Sequence, residues 1–179
     1  MKRYALLKNG KRVLLRQPRF SDAEALMRFV NGIVREGARI ELMKPVSVNE
    51  EKKYLKSVLK AIRKGKRADV LAEYEGKIVG RCDIIKNPPF PNHSEHVGTM
   101  GLMVANGFRG LGLGKILMSE TMKEAKKIGI KIVRLWVIED NKVAIRLYKK
   151  MGFKICGKIP KGYKVGRQYL DKILMVREI

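Results

Sequence analysis

The sequence predicts an α/β fold in which a mixed central sheet carries helices on its flanks. Apolar residues recur at helical spacing in some segments and alternate or run continuously, as in strands, in others. The two kinds of segment follow one another in the order β-α-α-β-β-β-α-β-α-β-β. A chain of 179 residues suits one domain, and neither an internal repeat nor a Gly/Ser linker interrupts it. We therefore expect a single domain over residues 1–179.

Seven strands are predicted from short apolar runs bounded by turn residues. Glu75-Gly76 joins the second and third of them as a hairpin. The predicted strands are Val13–Arg16, Val70–Tyr74, Lys77–Ile85, His96–Val104, Lys131–Ile138, Phe153–Ile159 and Tyr169–Val176.

The first two helices each begin at a predicted capping box, in which a Ser and a Glu three residues later bond to the first N–H groups. Ser21 with Glu24 starts the first helix, and Ser47 with Glu50 starts the second. A third helix is predicted over Lys115–Ile128 from its helical spacing.

Two segments between strands are predicted to be loops. Asn87-Pro-Pro-Phe-Pro-Asn92 holds three prolines, which lack the N–H that a strand or helix needs. The basic segment Lys161–Arg167 separates the last two strands.

The run Arg109-Gly110-Leu111-Gly112-Leu113-Gly114 lies between a predicted strand and a predicted helix. Small residues let backbone N–H groups approach and bind an anion, and a helix N-terminus adds partial positive charge. A Walker A loop would need Gly at Arg109 and Ser or Thr at Ile116, and a dinucleotide fingerprint would need Gly at Lys115. Both of those phosphate loops are excluded.

Arg-x-x-Gly-x-Gly at a strand-to-helix turn resembles the acetyl-CoA loop of the GNAT superfamily of N-acetyltransferases. A second motif, N-x-x-A-x-x-L-Y-x-x-x-G-F over Asn141–Phe153, resembles the GNAT helix beside the cofactor and follows in the family's order. Around Asn141 the chain is similar to ribosomal-protein N-acetyltransferases. The resemblance implies the GNAT fold, whose sheet splays apart at the acetyl-CoA site.

The resemblance also implies a cofactor site without metal. Arg109 and the N–H groups of the loop would hold the pyrophosphate, and the backbone at the end of the preceding strand would align the pantetheine. Tyr148 would protonate the departing thiolate. Without the motif, the simpler interpretation is a tyrosine packed on one face of a helix. The implied cofactor-binding residues are Met103, Val104, Arg109, Gly110, Leu111, Gly112, Leu113, Gly114, Asn141, Ala144 and Tyr148.

The general base is the least defined part of the predicted site. Thr99 and Trp136 stand where related enzymes carry glutamates, and neither side chain can accept a proton. A water relay from Glu95 or His96 is the working hypothesis. The other candidates are Glu73, Asp83 and His93. A metal site at His93–His96 would lack a third well-spaced ligand, so no metal is expected.

The formal net charge of +23 suggests an acidic acceptor, a ribosome or a nucleic acid as partner. Lys and Arg occur in every segment, with local concentrations at Lys60–Arg67 and Lys158–Arg167, and this spread favours a solvated surface, which also fits a thermophile. Cys82 and Cys156 are predicted to be buried free thiols of a cytoplasmic protein. No apolar run predicts a membrane span or a signal peptide.

These observations predict an acetyl-CoA-dependent N-acetyltransferase that acts on a protein α-amine or a lysine. At pH 7 about 0.04% of a lysine amine is neutral, against roughly 10% of an α-amine. An enzyme without a strong base therefore favours the α-amine. The alternatives are a small metabolite amine as acceptor, an acyl-CoA-binding regulator, and a non-catalytic basic protein associated with nucleic acid.

Overall fold

A computed structural model of the chain describes residues 2–38, 44–86 and 93–179. The strands in these residues are β1 (Lys2–Leu6), β2 (Arg12–Arg16), β3 (Arg67–Tyr74), β4 (Lys77–Lys86), β5 (Val97–Val104), β6 (Ile132–Ile138), β7 (Lys154–Val165) and β8 (Gln168–Glu178). The α-helices are α1 (Ala23–Arg35), α2 (Val48–Arg63), α3 (Leu113–Lys127) and α4 (Lys142–Lys150). This order confirms the predicted α/β fold, with an open mixed sheet and flanking helices.

The chain divides into two compact units, and strand β5 contributes residues to both. The first unit holds residues 1–85 and 101–128, and the second holds residues 86–100 and 129–179. This division into compact units does not test whether residues 1–179 form a single domain, and that expectation stays a prediction.

The first unit is built on the strand order β1-β2-β3-β4-β5. Helices α1 and α2 bury their apolar stripes together with Leu71 of β3 and Ile78 of β4. Helix α3 buries Leu117 and Met118 completely. A Cβ built on Gly80 of β4 would lie 2.8 Å from Leu117 Cδ1, so another residue there would force the buried Leu117 side chain of α3 to shift.

The second unit has the strand order β5-β6-β8-β7 with helix α4. Strand β5 pairs in parallel with β6 through Val97–Thr99, and β8 pairs antiparallel with both β6 and β7. Its most buried apolar side chains include Ile130, Val133, Leu135, Phe153 and Met175. Parallel and antiparallel pairing in one sheet is what the sequence predicted.

Strand β1 was not predicted from the sequence. It pairs antiparallel with β2 through a tight turn in which Gly10 has φ +81°. Asn9-Gly10 is a strong hairpin signal, but the half-polar residues Lys2–Leu6 hide the strand.

The second predicted capping box is confirmed and the first is wrong. Ser47 N donates to Glu50 Oε2 at 2.7 Å, and Glu50 N donates to Ser47 Oγ at 3.3 Å. At the first helix a 3-10 turn, Phe20–Asp22, precedes α1 instead. There Asp22 accepts the Arg19 N–H at 2.7 Å, while Glu24 pairs with Arg28.

The predicted loop Lys161–Arg167 is wrong for most of its length. Strand β7 continues to Val165 across a bulge between Ile159 and Tyr163, and only a two-residue turn remains before β8. A Cβ on Gly162 would lie 2.9 Å from Ile159 Cβ, so the bulge requires glycine there. The other predicted loop, Asn87–Asn92, lies outside the described residues.

Both cysteines are free thiols, but only Cys82 is buried. Cys156 is exposed on β7, where the edge of the sheet leaves most side chains uncovered, so its predicted burial is wrong. None of the four described helices is long and apolar enough to cross a bilayer.

Candidate functional site

The glycine turn between β5 and α3 leaves the start of the helix uncapped. Gly110 and Gly112 have φ of +74° and +88°, which glycine adopts without strain. Gly112 is the N-cap residue, so no side chain bonds to the first N–H groups, and the first turn of α3 holds no acidic residue. Helix N–H groups in this state bind anions.

The side chain of Arg109 links this turn to the end of β5. Its Nε donates to the main-chain oxygen of Val104 at 2.8 Å. Its Nη2 forms an ion pair with Glu36, and 47% of the side chain stays exposed. The guanidinium is therefore oriented by the protein, but it has a competing carboxylate beside it.

The hairpin between β1 and β2 supports the same turn, which the sequence did not predict. Lys8 N donates to the Leu111 oxygen at 3.2 Å. The Lys8 Cγ atom lies 4.0 Å from where a Cβ on Gly112 would be. The backbone and side-chain stem of Lys8 therefore lie next to the uncapped N-terminus of α3.

The second motif forms helix α4 and its end. Asn141 caps the helix, since its Oδ1 accepts the Ala144 N–H at 3.1 Å. Tyr148 is 8% exposed and packs against Phe153, with ring centroids 6.0 Å apart. Gly152 ends the helix with φ +83°, as predicted.

Glu95 and His96 lie exposed in the turn before β5. The His96 oxygen accepts the N–H groups of Lys131 and Ile132 at 2.8 and 3.1 Å, so its backbone fixes the start of β6. Met103 and Val104 lie at the other end of the eight-residue strand β5, which spans about 26 Å at ~3.3 Å a residue. Glu95 and His96, the candidate relay residues, therefore lie before the first residue of β5, whereas Met103 and Val104 lie at its last.

The two positions at which related enzymes carry glutamates here border cations. Arg134 Nε donates to Thr99 Oγ1 at 3.0 Å. The Lys172 ammonium lies 5.4 Å from the centroid of the Trp136 ring. A positive neighbour does not help either position to accept a proton.

A buried cluster of four charged side chains on β3 and β4 was not predicted as a unit. Asp69 accepts from Arg81 Nη2 at 2.7 Å and from Arg67 Nε at 2.9 Å. Arg67 Nη2 also pairs with Asp83 Oδ2 at 3.1 Å. The signal was Arg-x-Asp repeated at Arg67 and Arg81, because period 2 puts both side chains of each strand on one face.

Burial and the facing Asp69 carboxylate raise the pKa of Asp83 to about 6, against the opposing effect of Arg67 and Arg81. Glu73, another candidate base, pairs instead with Arg16 at 2.8 Å. Asp83 is therefore a carboxylate with a pKa suited to proton transfer near neutral pH.

The described geometry was compared with known proteins. The model of the acetyltransferase (GNAT) family matches residues 37–153. An uncharacterized N-acetyltransferase of Mycobacterium bovis is 31% identical over 114 residues, which are 64% of this chain and 69% of that protein. An uncharacterized N-acetyltransferase of Methanocaldococcus jannaschii is 45% identical over 53 residues, 30% of this chain; the match spans only 24% of that protein.

The fold is also similar to that of solved acetyltransferases. The crystal structure of a ribosomal-protein-alanine N-acetyltransferase from Brucella melitensis superposes with a TM-score of 0.81 at 25% sequence identity. The match covers 92% of this chain and 99% of that one.

Proposed function

Because the chain belongs to the acetyltransferase (GNAT) family, we propose that it transfers acetyl from acetyl-CoA to the N-terminal α-amine of a protein. The family resemblance of the two motifs is thereby confirmed. One observation carries the proposal: the uncapped N-terminus of α3, with Arg109 oriented beside it. That arrangement fits the pyrophosphate of a coenzyme A.

The loop has room for such an anion. A Cβ on Gly110 would meet nothing within 4 Å, and one on Gly112 would meet only Lys8 Cγ at 4.0 Å. In the proposal the N–H groups of residues 110–114 and the side chains of Arg109 and Lys8 bind the pyrophosphate. The backbone of Met103 and Val104 aligns the pantetheine arm.

Acetyl transfer also requires that the thiolate gain a proton. The thioester supplies the activated acetyl group, and the chain supplies position and proton transfer. Tyr148 is proposed as the general acid, since a phenol of pKa about 10 can protonate a thiolate only across a short hydrogen bond. Asn141 and Ala144 are proposed as pantetheine contacts on their motif positions.

The acceptor proposal is supported by amine chemistry and by charge. An α-amine is about 200 times more often neutral than a lysine at pH 7. The net charge of +23 attracts acidic acceptors and repels polyamines. The ribosomal-protein enzyme from Brucella melitensis acts, by its name, on such a protein amine.

A thiol-release assay tests the proposal. The purified protein is incubated with acetyl-CoA and, separately, with peptides bearing free α-amines, with free amino acids and with amino sugars. We expect acceptor-dependent thiol release with the peptides, and the product mass should place the acetyl group on the α-amine. Release with small amines alone would assign a metabolite acceptor, and no release with any amine would overturn the proposal.

A further inference from the structure

Asp69 and Asp83 face each other across β3 and β4, but their surroundings differ. Asp69 has no exposed side-chain surface and binds two guanidinium groups. In the part of the chain that the structure describes, Asp83 forms its ion pair with Arg67, through Oδ2, and 14% of its side chain is exposed. Asp69 is thus paired with both arginines and fully buried, whereas Asp83 is paired with Arg67 and is the more exposed of the two carboxylates.

The second oxygen of Asp83 lies beside a gap in strand β5. A Cβ built on Gly101 would lie 3.1 Å from Asp83 Oδ1, and Gly101 itself is exposed. Any side chain at this position would cover the carboxylate. Glycine therefore opens a path from Oδ1 to the surface of β5.

This opening lies next to the backbone assigned to the thioester. Gly101 precedes Met103 by two residues, so both point to the same face of the strand, about 7 Å apart. Glu95 and His96 precede the whole strand. The Asp83 carboxylate therefore lies beside the half of β5 that ends in Met103 and Val104.

We infer that Asp83 is the general base that takes the proton of the acceptor amine, directly or through one water; this rests on the function proposed above. The amine lone pair attacks the acetyl carbon and the C–S bond breaks. The amine proton moves to Asp83 Oδ1 and the thiolate takes a proton from Tyr148. Asp83 then releases its proton to solvent past Gly101, and the Tyr148 phenolate regains one from solvent.

The groups facing Asp83 set its proton affinity. They are Arg67 and Asp69 on β3 and Arg81 on β4. From α2, Tyr54 accepts a hydrogen bond from Arg67, and Glu51 interacts with Arg81 and Asp69. Glu51 is 4% exposed, and its Oε1 has no hydrogen-bond partner among the described residues. Burial and the facing Asp69 carboxylate favour uptake of a proton by Asp83.

The test is the pH profile of kcat for the wild type and for Asp83→Asn, with Glu24→Gln as a carboxylate-to-amide control on exposed α1. The wild type should show a rising limb with its midpoint near pH 6. Asp83→Asn should lose that limb and about 10²- to 10⁴-fold in kcat, while acetyl-CoA affinity is retained. A loss below about threefold in an otherwise active enzyme would overturn the assignment and leave the acetyltransferase activity standing.

Two further variants keep the outcome decisive. Gly101→Ala retains the carboxylate but puts a methyl group beside Oδ1, so kcat should fall while the unfolding midpoint holds. If the Asp83→Asn protein fails to fold, the kcat of Gly101→Ala decides the assignment in its place. If Glu95→Gln/His96→Gln removes the limb instead, the base lies before β5 and Asp83 is excluded. A wild type inactive on every amine would overturn the proposed function first.

Discussion

Arg109 Nε donates a 2.8 Å hydrogen bond to the main-chain oxygen of Val104, which joins the cation of the glycine turn to the last residue of β5. The bond fixes the guanidinium near the uncapped start of α3. It also ties together the two backbone segments proposed to contact acetyl-CoA. The guanidinium also forms an ion pair with Glu36, which would compete with a bound phosphate for the same cation.

Replacing Arg109 by Ala should weaken acetyl-CoA binding about 10- to 100-fold, since one charge-assisted contact contributes ~1.5–3 kcal/mol. The variant also leaves Glu36 without its cation, next to the incoming phosphates. Isothermal titration measures the effect. Arg28→Ala removes the same charge from an exposed ion pair on α1 and is the matched control. Unchanged affinity in Arg109→Ala would end the pyrophosphate assignment.

Gly80→Ala should destabilise the protein by ~1–3 kcal/mol, because the new methyl group would lie 2.8 Å from Leu117 Cδ1 in a filled core. Gly32→Ala is the control of opposite sign: it lies within α1 with nothing within 4 Å of the added Cβ. There alanine should stabilise the helix by ~0.5–1 kcal/mol. Urea unfolding of both variants checks the pair, and a Gly80→Ala protein as stable as wild type would refute the close packing of α3.

Tyr148→Phe should lower turnover about 10²- to 10⁴-fold if the hydroxyl protonates the thiolate. Its acetyl-CoA affinity should stay close to that of the wild type, since the ring still packs against Phe153. Steady-state kinetics together with titration separate the two quantities. A rate loss below about threefold would return Tyr148 to a packing role.

The buried pair of Arg16 and Asp22 should make stability depend on pH at the acid end. Burial acts to raise the pKa of Asp22, but hydrogen bonds from Arg16 and from the Arg19 N–H outweigh it and leave the pKa lowered. Its contribution is therefore present above the unfolded-state pKa and is lost as pH falls through the folded one. Asp22→Asn should cost ~1.5–3 kcal/mol at pH 7, since Arg16 loses its charge-assisted bonds to Asp22 but keeps its pair with Glu73. Urea titrations at pH 7 and pH 3 check this, and an equal difference at both values would contradict it.

The parts of the fold that follow from local pattern were predictable. Ser47 and Glu50 form the expected capping box because a cap depends only on neighbouring residues. Helix α1 has Asp22 and not Ser21 at its N-cap position. The Asp22 carboxylate accepts a buried hydrogen bond from Arg16, six residues earlier, and this contact fixes the chain there. Strand β7 extends past the predicted loop because pairing with β8 outweighs the turn-like composition of Lys161–Arg167.

The candidate site shows the same division. The uncapped glycine turn follows from glycine spacing alone, since its geometry is local. The contact of Arg109 with Glu36 joins residues 73 positions apart, and the opening of Asp83 over Gly101 depends on which strands are neighbours. Sequence spacing carries no information on either contact.

The most direct test of the central claim is a pair of initial rates at pH 7. One peptide has a free α-amine and no lysine; the other has the same residues, a blocked N-terminus and one internal lysine. A base of pKa about 6 takes a proton from an α-ammonium near pKa 8 more readily than from a lysine near 10.4. We expect the free α-amine peptide to be acetylated faster. A faster rate on the blocked lysine peptide would contradict the α-amine assignment.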